Sequence, residues 1–291
     1  MISLRRLNEN MKRIITEEAL GNFQNYMLEE ERSTNTICKY LRDIRKFMDY
    51  AQGAEITKAL VIEFKEKLLY KDNYEISSIN TFIIAVNRFL EYMGWYDAKV
   101  KTYKVQKASF TPEEKYLTRK EYERLVAAAR ANGNFRLEMI LNTICATGIR
   151  ISELQYFTVD SVKRGKVVIH NKGKVRSILI PSQLQKKLKC YILQKQIKKG
   201  VVFCTGSGKP VERSNIWREM KALCRQANVC EEKVFPHNLR HLFAQCFYAL
   251  KKDLAKLADL LGHSNIETTR IYVRTTCEEQ RRQLELMHLV C

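Results

Sequence analysis

The chain has nine cysteines but no C-x-x-C pair, no H-E-x-x-H and no spaced cluster of carboxylates. Zinc ribbons and dithiol redox motifs need close spacing. An odd number of scattered thiols reads instead as free cysteine in a reducing compartment, several of them serving as small core residues. Cys224 and Cys230 could be drawn as metal ligands, but no second pair stands near them. No metal and no cofactor are expected. A complete Walker motif is also missing. Cys204 to Pro210 has part of a phosphate-binding loop, yet it lacks the leading glycine and puts Pro210 where Ser or Thr would hold magnesium, so it reads as a turn. The longest apolar stretch, around Phe82 to Val86, is broken by Asn87 and Arg88 and is far too short to cross a bilayer. Residues Met1 to Ile15 alternate basic and polar residues with isolated Leu and Ile, unlike a secretory signal. A cytoplasmic protein with no membrane partner is expected.

Acidic residues are in short supply as well: 32 Asp and Glu face 51 Lys and Arg, a formal net charge of +19. A field of that sign attracts polyanions and steers them inward, so a nucleic-acid partner is expected.

At 291 residues the chain is long enough for two domains with separate cores. The first hundred residues read as helices near Glu17 to Glu31, Ser33 to Gln52, Thr57 to Leu69 and Ser77 to Met93. Apolar residues recur there at three- and four-residue spacing, as in Tyr40, Ile44, Phe47 and Met48. Ser33, Thr57 and Ser77 stand where N-caps belong, and four such helices make a bundle. Its polar faces carry Lys39, Arg42, Arg45, Lys46, Lys65 and Lys67, which suit a phosphate backbone or plain solvent equally. The expected domains are a helical DNA-binding domain over 1–97, a basic linker over 98–116 with no clear apolar face, a catalytic domain over 117–275 and a tail helix over 276–291.

The second domain opens on Thr118-x-x-Glu121, a capping box. It mixes helices with one hairpin, Lys166 to His170 and Val175 to Ile180, turning through Asn171 to Lys174 with Gly173 in the turn. Further helices are expected over Ser182 to Lys198, Ser214 to Ala227, His237 to Leu250 and Leu254 to Leu261, and from a second capping box at Ser264 and Glu267.

Five short motifs follow one another in this half: Ala146-Thr147-Gly148-Ile149-Arg150-Ile151-Ser152-Glu153-Leu154, Asn171-Lys172-Gly173, Pro236-His237-Asn238-Leu239-Arg240-His241, Leu261-Gly262-His263-Ser264, and Tyr272 nine residues past His263. As an ordered series from Leu117 to Tyr272 they resemble the tyrosine recombinase family, the phage integrase and Xer-like enzymes. The N-terminal third resembles the family only in general layout. The resemblance implies a mainly α fold with a small β-sheet, in which a four-helix SAM-like core-binding domain precedes an α+β catalytic domain.

It also implies site-specific recombination through a 3′-phosphotyrosyl intermediate and a Holliday junction. The six catalytic positions would be Arg150, Lys172, His237, Arg240, His263 and Tyr272, with Tyr272 as nucleophile. A tyrosyl ester stores the energy of the broken bond, so neither metal nor ATP is required. Arg150 and Arg240 would clamp the phosphate, since a guanidinium holds two oxygens at once and keeps its proton. Glu153 would orient the site. His237 would take the proton of Tyr272 or hold the phosphate, and it shares a helix face with Arg240, three residues on. His241 would face elsewhere. Lys172 would protonate the leaving 5′-oxygen, with Lys174 as its rival, and Lys174 or Arg176 would contact phosphates. His263 would bond the same phosphate and buttress Tyr272, while His170 and His288 stand outside any motif. Leu242 replaces the Thr or Ser common among relatives.

The implied partner is double-stranded DNA carrying recombination sites. The chain would be a tetramer on paired sites, a monomer or dimer off DNA, with accessory DNA-bending proteins as an option. The tail helix would dock on a neighbouring subunit or on its own domain. The chain also reads as lacking an additional arm-binding domain ahead of the bundle. Two alternatives remain open at this point: strand relaxation in the manner of a type IB topoisomerase, and a DNA-binding relative that no longer reacts.

Overall fold

The structure, a computed structural model, describes residues 12–104, 115–171, 174–206, 208–273 and 285–286. The chain divides into two units, Met1–Lys107 and Ala108–Cys291.

The first unit is a bundle of α1 (Glu17–Glu29), α2 (Thr34–Ala51), α3 (Lys58–Tyr70) and α4 (Ile76–Tyr92). Thr16, Ser33 and Thr57 cap the first three, each side-chain oxygen accepting an amide three residues on. The cap expected at Ser77 falls elsewhere. The amides of Ser78 and Ile79 already bond to the carbonyl of Glu75, which places Ser77 inside the first turn. Phe23, Ile44, Phe47, Phe64, Ile83 and Phe89 are wholly buried at the centre.

Past α4 the chain folds back onto the bundle. Ala98 and Val100 join the core, and two asparagines two helical turns apart on α4 hold the returning backbone. Asn87 donates to the carbonyl of Val100 (2.8 Å) and accepts its amide (3.1 Å); Asn80 does the same for Tyr103 (2.9 and 2.8 Å). Residues 98–103, expected as linker, are therefore bonded along one helix face. Of the rest of that segment, residues 105–114 lie outside the described residues.

In the second unit α5 (Arg119–Ala131) starts on the capping box of Thr118 and Glu121, both halves of which form. It packs on α6 (Phe135–Thr147), which is buried on several faces, as a helix apolar around most of its circumference should be. A 3-10 turn (Ile151–Tyr156) and α7 (Val159–Arg164) lead to the antiparallel pair β1 (Lys166–Asn171) and β2 (Lys174–Leu179), in register from Lys166 opposite Leu179 to Asn171 opposite Lys174. Then come α8 (Ser182–Gln194), α9 (Arg213–Ala222), α10 (Cys224–Ala227), α11 (Pro236–Lys251), α12 (Leu254–Leu261) and α13 (Ile266–Arg270), the last running into a 3-10 turn (Ile271–Val273). The helix expected over Ser214 to Ala227 is thus two helices. The one expected to reach Lys198 stops at Gln194, just ahead of the left-handed Gln196.

Between α8 and α9, Cys204 bridges to Pro210 while the Thr205 amide bonds to the Lys209 carbonyl, so the glycine-rich stretch closes on itself as a turn. Pro236 takes the first turn of α11, where a missing amide costs nothing. Among the described residues no helix is long and apolar enough to cross a membrane.

Candidate active site

Two helices end at the site, and both end on glycine. α6 stops at Gly148 (φ +66°) and α12 at Gly262 (φ +65°), each in the left-handed region. The carbonyl ends of these helices carry partial negative charge. Arg240, from the start of α11, bridges them: Nη1 donates to the Gly148 carbonyl at 2.7 Å and Nη2 to the Leu261 carbonyl at 2.6 Å. Only 1% of Arg240 is exposed. Burial, then the nearby Arg150, bring its pKa down to about 10, which leaves it charged at neutral pH. Its Nε is buried and has no hydrogen-bond partner among the described residues.

Space is as tight as the polar geometry. A Cβ on Gly148 would sit 2.4 Å from the Phe243 ring, and one on Gly262 would sit 2.7 Å from Nη1 of Arg176.

Glu153, 2% exposed, joins the other two arginines. It accepts the Arg150 amide at 2.7 Å, Arg150 Nη1 at 3.2 Å and Arg176 Nη2 at 2.6 Å. Arg176 had been expected on DNA phosphates, but in this structure it turns inward and also donates to the Leu260 carbonyl at 2.8 Å. The strand's two-residue period explains this, since Arg176 shares a face of β2 with the buried Ile178. Burial, then repulsion from Arg150, lower its pKa. Two guanidiniums thus share one carboxylate while Arg240 is held by backbone carbonyls, and the surplus positive charge faces the histidines. Burial first, then Arg240 and Arg150, hold His237 below its ordinary range. The same causes bring His263 to about 4, with Arg176 adding to them. Both rings are neutral at pH 7.

The protons on His263 follow from its partners. Arg240 can only donate, so the contact of Nη2 with His263 Nε2 at 2.9 Å leaves Nε2 the acceptor. The ring proton therefore sits on Nδ1, which donates to Thr269 Oγ1 at 2.8 Å. His263 was expected to reach a phosphate; in this structure both of its nitrogens are already engaged.

Tyr272, 4% exposed, stands among three imidazoles. Its hydroxyl lies 3.2 Å from His237 Nε2. Its ring stacks on His263, with centroids 5.7 Å apart and 14° between planes. On another side, at 5.0 Å and 57°, is His241. The expectation that His241 faces elsewhere is corrected: four residues after His237, it lies one helical turn further along the same side of α11. The helix expected from a cap at Ser264 starts one residue later, with Asn265 accepting the Glu267 amide.

Lys172 lies outside the described residues; the last described rung of the hairpin pairs Asn171 with Lys174. The tail assigned to protomer contact is also outside them, apart from Glu285 and Leu286. In the first unit, Lys39, Arg42 and Lys46 of α2 line a groove of about 620 Å³ with Tyr74, Ser78 and Phe82. Arg42 pairs with Asp43 at 3.0 Å, and Lys46 with Asp72 at 3.3 Å. Arg45 turns away to Glu17 at 3.4 Å.

Sequence comparison agrees with this geometry. Residues 115–279 match the phage integrase family, and residues 20–95 match the N-terminal SAM-like domain of phage integrases. Tyrosine recombinase XerA of Pyrococcus furiosus is 28% identical over 288 residues, covering 96% of this chain and 97% of that protein. Tyrosine recombinase XerD of Staphylococcus haemolyticus is 29% identical over 295 residues, covering 94% and 98%. Among solved structures, XerH site-specific recombinase bound to difH substrate in a pre-cleavage complex superposes with a TM-score of 0.70 at 20% identity, covering 94% of this chain and 85% of that one. The chain belongs to the phage integrase family and is a site-specific tyrosine recombinase.

Proposed function

We propose that this recombinase cuts and rejoins double-stranded DNA through an ester between Tyr272 and a DNA phosphate. The observation that carries the reading is the Tyr272 hydroxyl set 3.2 Å from a neutral imidazole, His237, beside a cluster of guanidiniums. With the ring proton on Nδ1, His237 Nε2 takes the phenolic proton as the tyrosyl oxygen attacks phosphorus. Negative charge then grows on the nonbridging oxygens. Fixed cations stabilise that state more than the ground state. Arg150, with 37% of its side chain exposed, has guanidinium donors left for a phosphate beyond the Nη1 that Glu153 accepts. The 5′-oxygen leaves with a proton, a role that the family resemblance gives to Lys172. Attack by a second 5′-hydroxyl on the tyrosyl ester reverses the step and joins new strands.

A DNA partner is supported by the net charge of +19 and by the relative solved with its difH substrate. Exchange between two sites fits a tetramer on paired DNA, and the cytoplasm is the expected place of action. A nicked DNA substrate that traps the covalent adduct tests the reading. Wild-type protein should form a protein–DNA band resistant to denaturant, and Tyr272→Phe should bind DNA but form none. An adduct that survives Tyr272→Phe would overturn the assignment. A two-site recombination assay beside supercoil relaxation separates recombination from relaxation alone.

A further inference from the structure

We infer that His241 is a positioning residue: clamped between Tyr116 and Tyr272, it sets the angle of the nucleophile's ring and ties it to the segment where the catalytic unit begins. The inference rests on the reading of Tyr272 given above. His241 is 3% exposed and its ring lies flat on Tyr116, with centroids 3.7 Å apart and planes 12° apart. Its other neighbour is the Tyr272 ring at 5.0 Å. Aromatic contacts of this kind contribute about 0.5–1.5 kcal/mol beyond burial and have preferred angles, so each fixes an orientation.

The segment that carries Tyr116 is itself fixed. Asn238, on the same helix and 2% exposed, donates from Nδ2 to the Lys115 carbonyl at 3.1 Å and to the Lys233 carbonyl at 2.8 Å. Leu117 is buried in the core. One turn of α11 therefore does two things. His237 and Arg240 face the reacting groups, Asn238 secures Lys115, and His241 reaches both sides.

The imidazole is used here as a flat, neutral slab. Neither ring nitrogen of His241 meets hydrogen-bond geometry among the described residues. Burial is the largest influence and brings the ring down to about 4, against the Gln245 side chain and the Ile271 backbone, which act to raise it. The closest contacts of this neutral ring are made by its faces, which predicts that another flat ring can replace it.

The test is single-turnover adduct formation on a nicked DNA substrate, with DNA affinity and thermal unfolding measured on the same full-length proteins. Tyr116→Ala should slow adduct formation about tenfold, because sub-ångström misplacement of a reacting group is costly, while DNA affinity stays within about twofold and Tyr116→Phe restores the rate. His241→Phe should keep most of the rate and the pH profile of the wild type, and His241→Ala should lose both ring contacts and the rate with them. If His241→Ala does not fold, the Tyr116 pair decides. A Tyr116→Ala protein that cleaves at the wild-type rate, or one that loses DNA binding in step with cleavage, would overturn the inference, as would a His241→Phe protein as slow as the alanine variant. Wild-type protein that forms no adduct at all would instead overturn the reading of Tyr272, and this inference with it.

Discussion

Replacing Glu153 by Gln would remove one charge and change almost nothing in shape. The carboxylate accepts three donors, two of them from Arg150 and one from Arg176, whose side chain is only 16% exposed. A glutamine carbonyl can still accept the Arg150 amide. Its NH2 group must then face a guanidinium, N–H against N–H, so at least one charge-assisted bond worth about 1.5–3 kcal/mol is lost. Breaking a buried pair by removing one partner costs about 3–5 kcal/mol, because the surviving charge is left unpaired. Arg150 is partly exposed and recovers some of that from water, so about 3 kcal/mol is the expected loss. For a unit of this size the midpoint of thermal unfolding should fall by roughly 6–12 °C. Adduct formation should fall further than stability alone explains, by about 10- to 100-fold, since Arg150 loses its orienting partner. Thermal scans with and without DNA, run beside single-turnover cleavage, measure both. A midpoint within about 2 °C of wild type together with unchanged cleavage would refute the claim that Glu153 holds the arginines in place.

Three further outcomes follow from the same site. Gly148→Ala should destabilise the catalytic unit by about 2–4 kcal/mol in urea unfolding. Its φ of +66° is strained for an L-residue, and the new methyl meets Phe243 at 2.4 Å; a loss under about 0.5 kcal/mol would show that the site relaxes freely. The pH dependence has a definite sign. His241 titrates near 6.5 when unfolded and at about 4 when folded, so its stabilising contribution is complete above pH 6.5 and is lost as the pH falls toward 4, about 2 kcal/mol of it by pH 5. Urea unfolding at pH 7.5 and pH 5 should show that much less acid sensitivity in His241→Phe than in wild type, and equal slopes would contradict the burial argument. Cleavage should likewise fall on the acid side as His237 gains a proton, with its midpoint below the usual histidine range.

Much of the architecture could be read from periodicity. Of the residues that the three- and four-residue spacing marked, Ile44 and Phe47 are buried and Tyr40 and Met48 pack partly buried against the same core, and Ser33, Thr57 and the Thr118 box cap as hydroxyls at helix starts should. The readings that failed depended on groups with no hydrophobic signature. Residues 98–103 look like a linker because their two buried apolar residues, Ala98 and Val100, are too few to make a period and the rest of the attachment is by the amides of Asn80 and Asn87, which an apolar pattern does not register. Ser77 and Ser264 are good capping residues, but Glu75 and Asn265, one or two positions away, end up closing the first turn, and spacing alone does not choose between neighbours.

At the site, the order of Arg150, His237, Arg240, His263 and Tyr272 was legible. The supporting contacts were only partly so. His241 could have been found from its four-residue spacing to His237 on one helix, and Arg176 from its alternation with Ile178 on a half-buried strand. That Arg240 would grip the carbonyls of Gly148 and Leu261 shows only in the fold, because backbone acceptors leave no trace in side-chain pattern, and that the Thr269 hydroxyl would fix the proton of His263 depends on how α13 is set against that ring.

The ribbon held by Asn80 and Asn87 has a practical consequence for dissecting the molecule. A fragment cut after residue 97 would discard Ala98 and Val100, open the floor of the bundle to water and leave two amides on α4 without their mates. A truncation that keeps the chain through Tyr103 preserves that seal, so the natural place to separate the two halves lies several residues beyond where the helices stop.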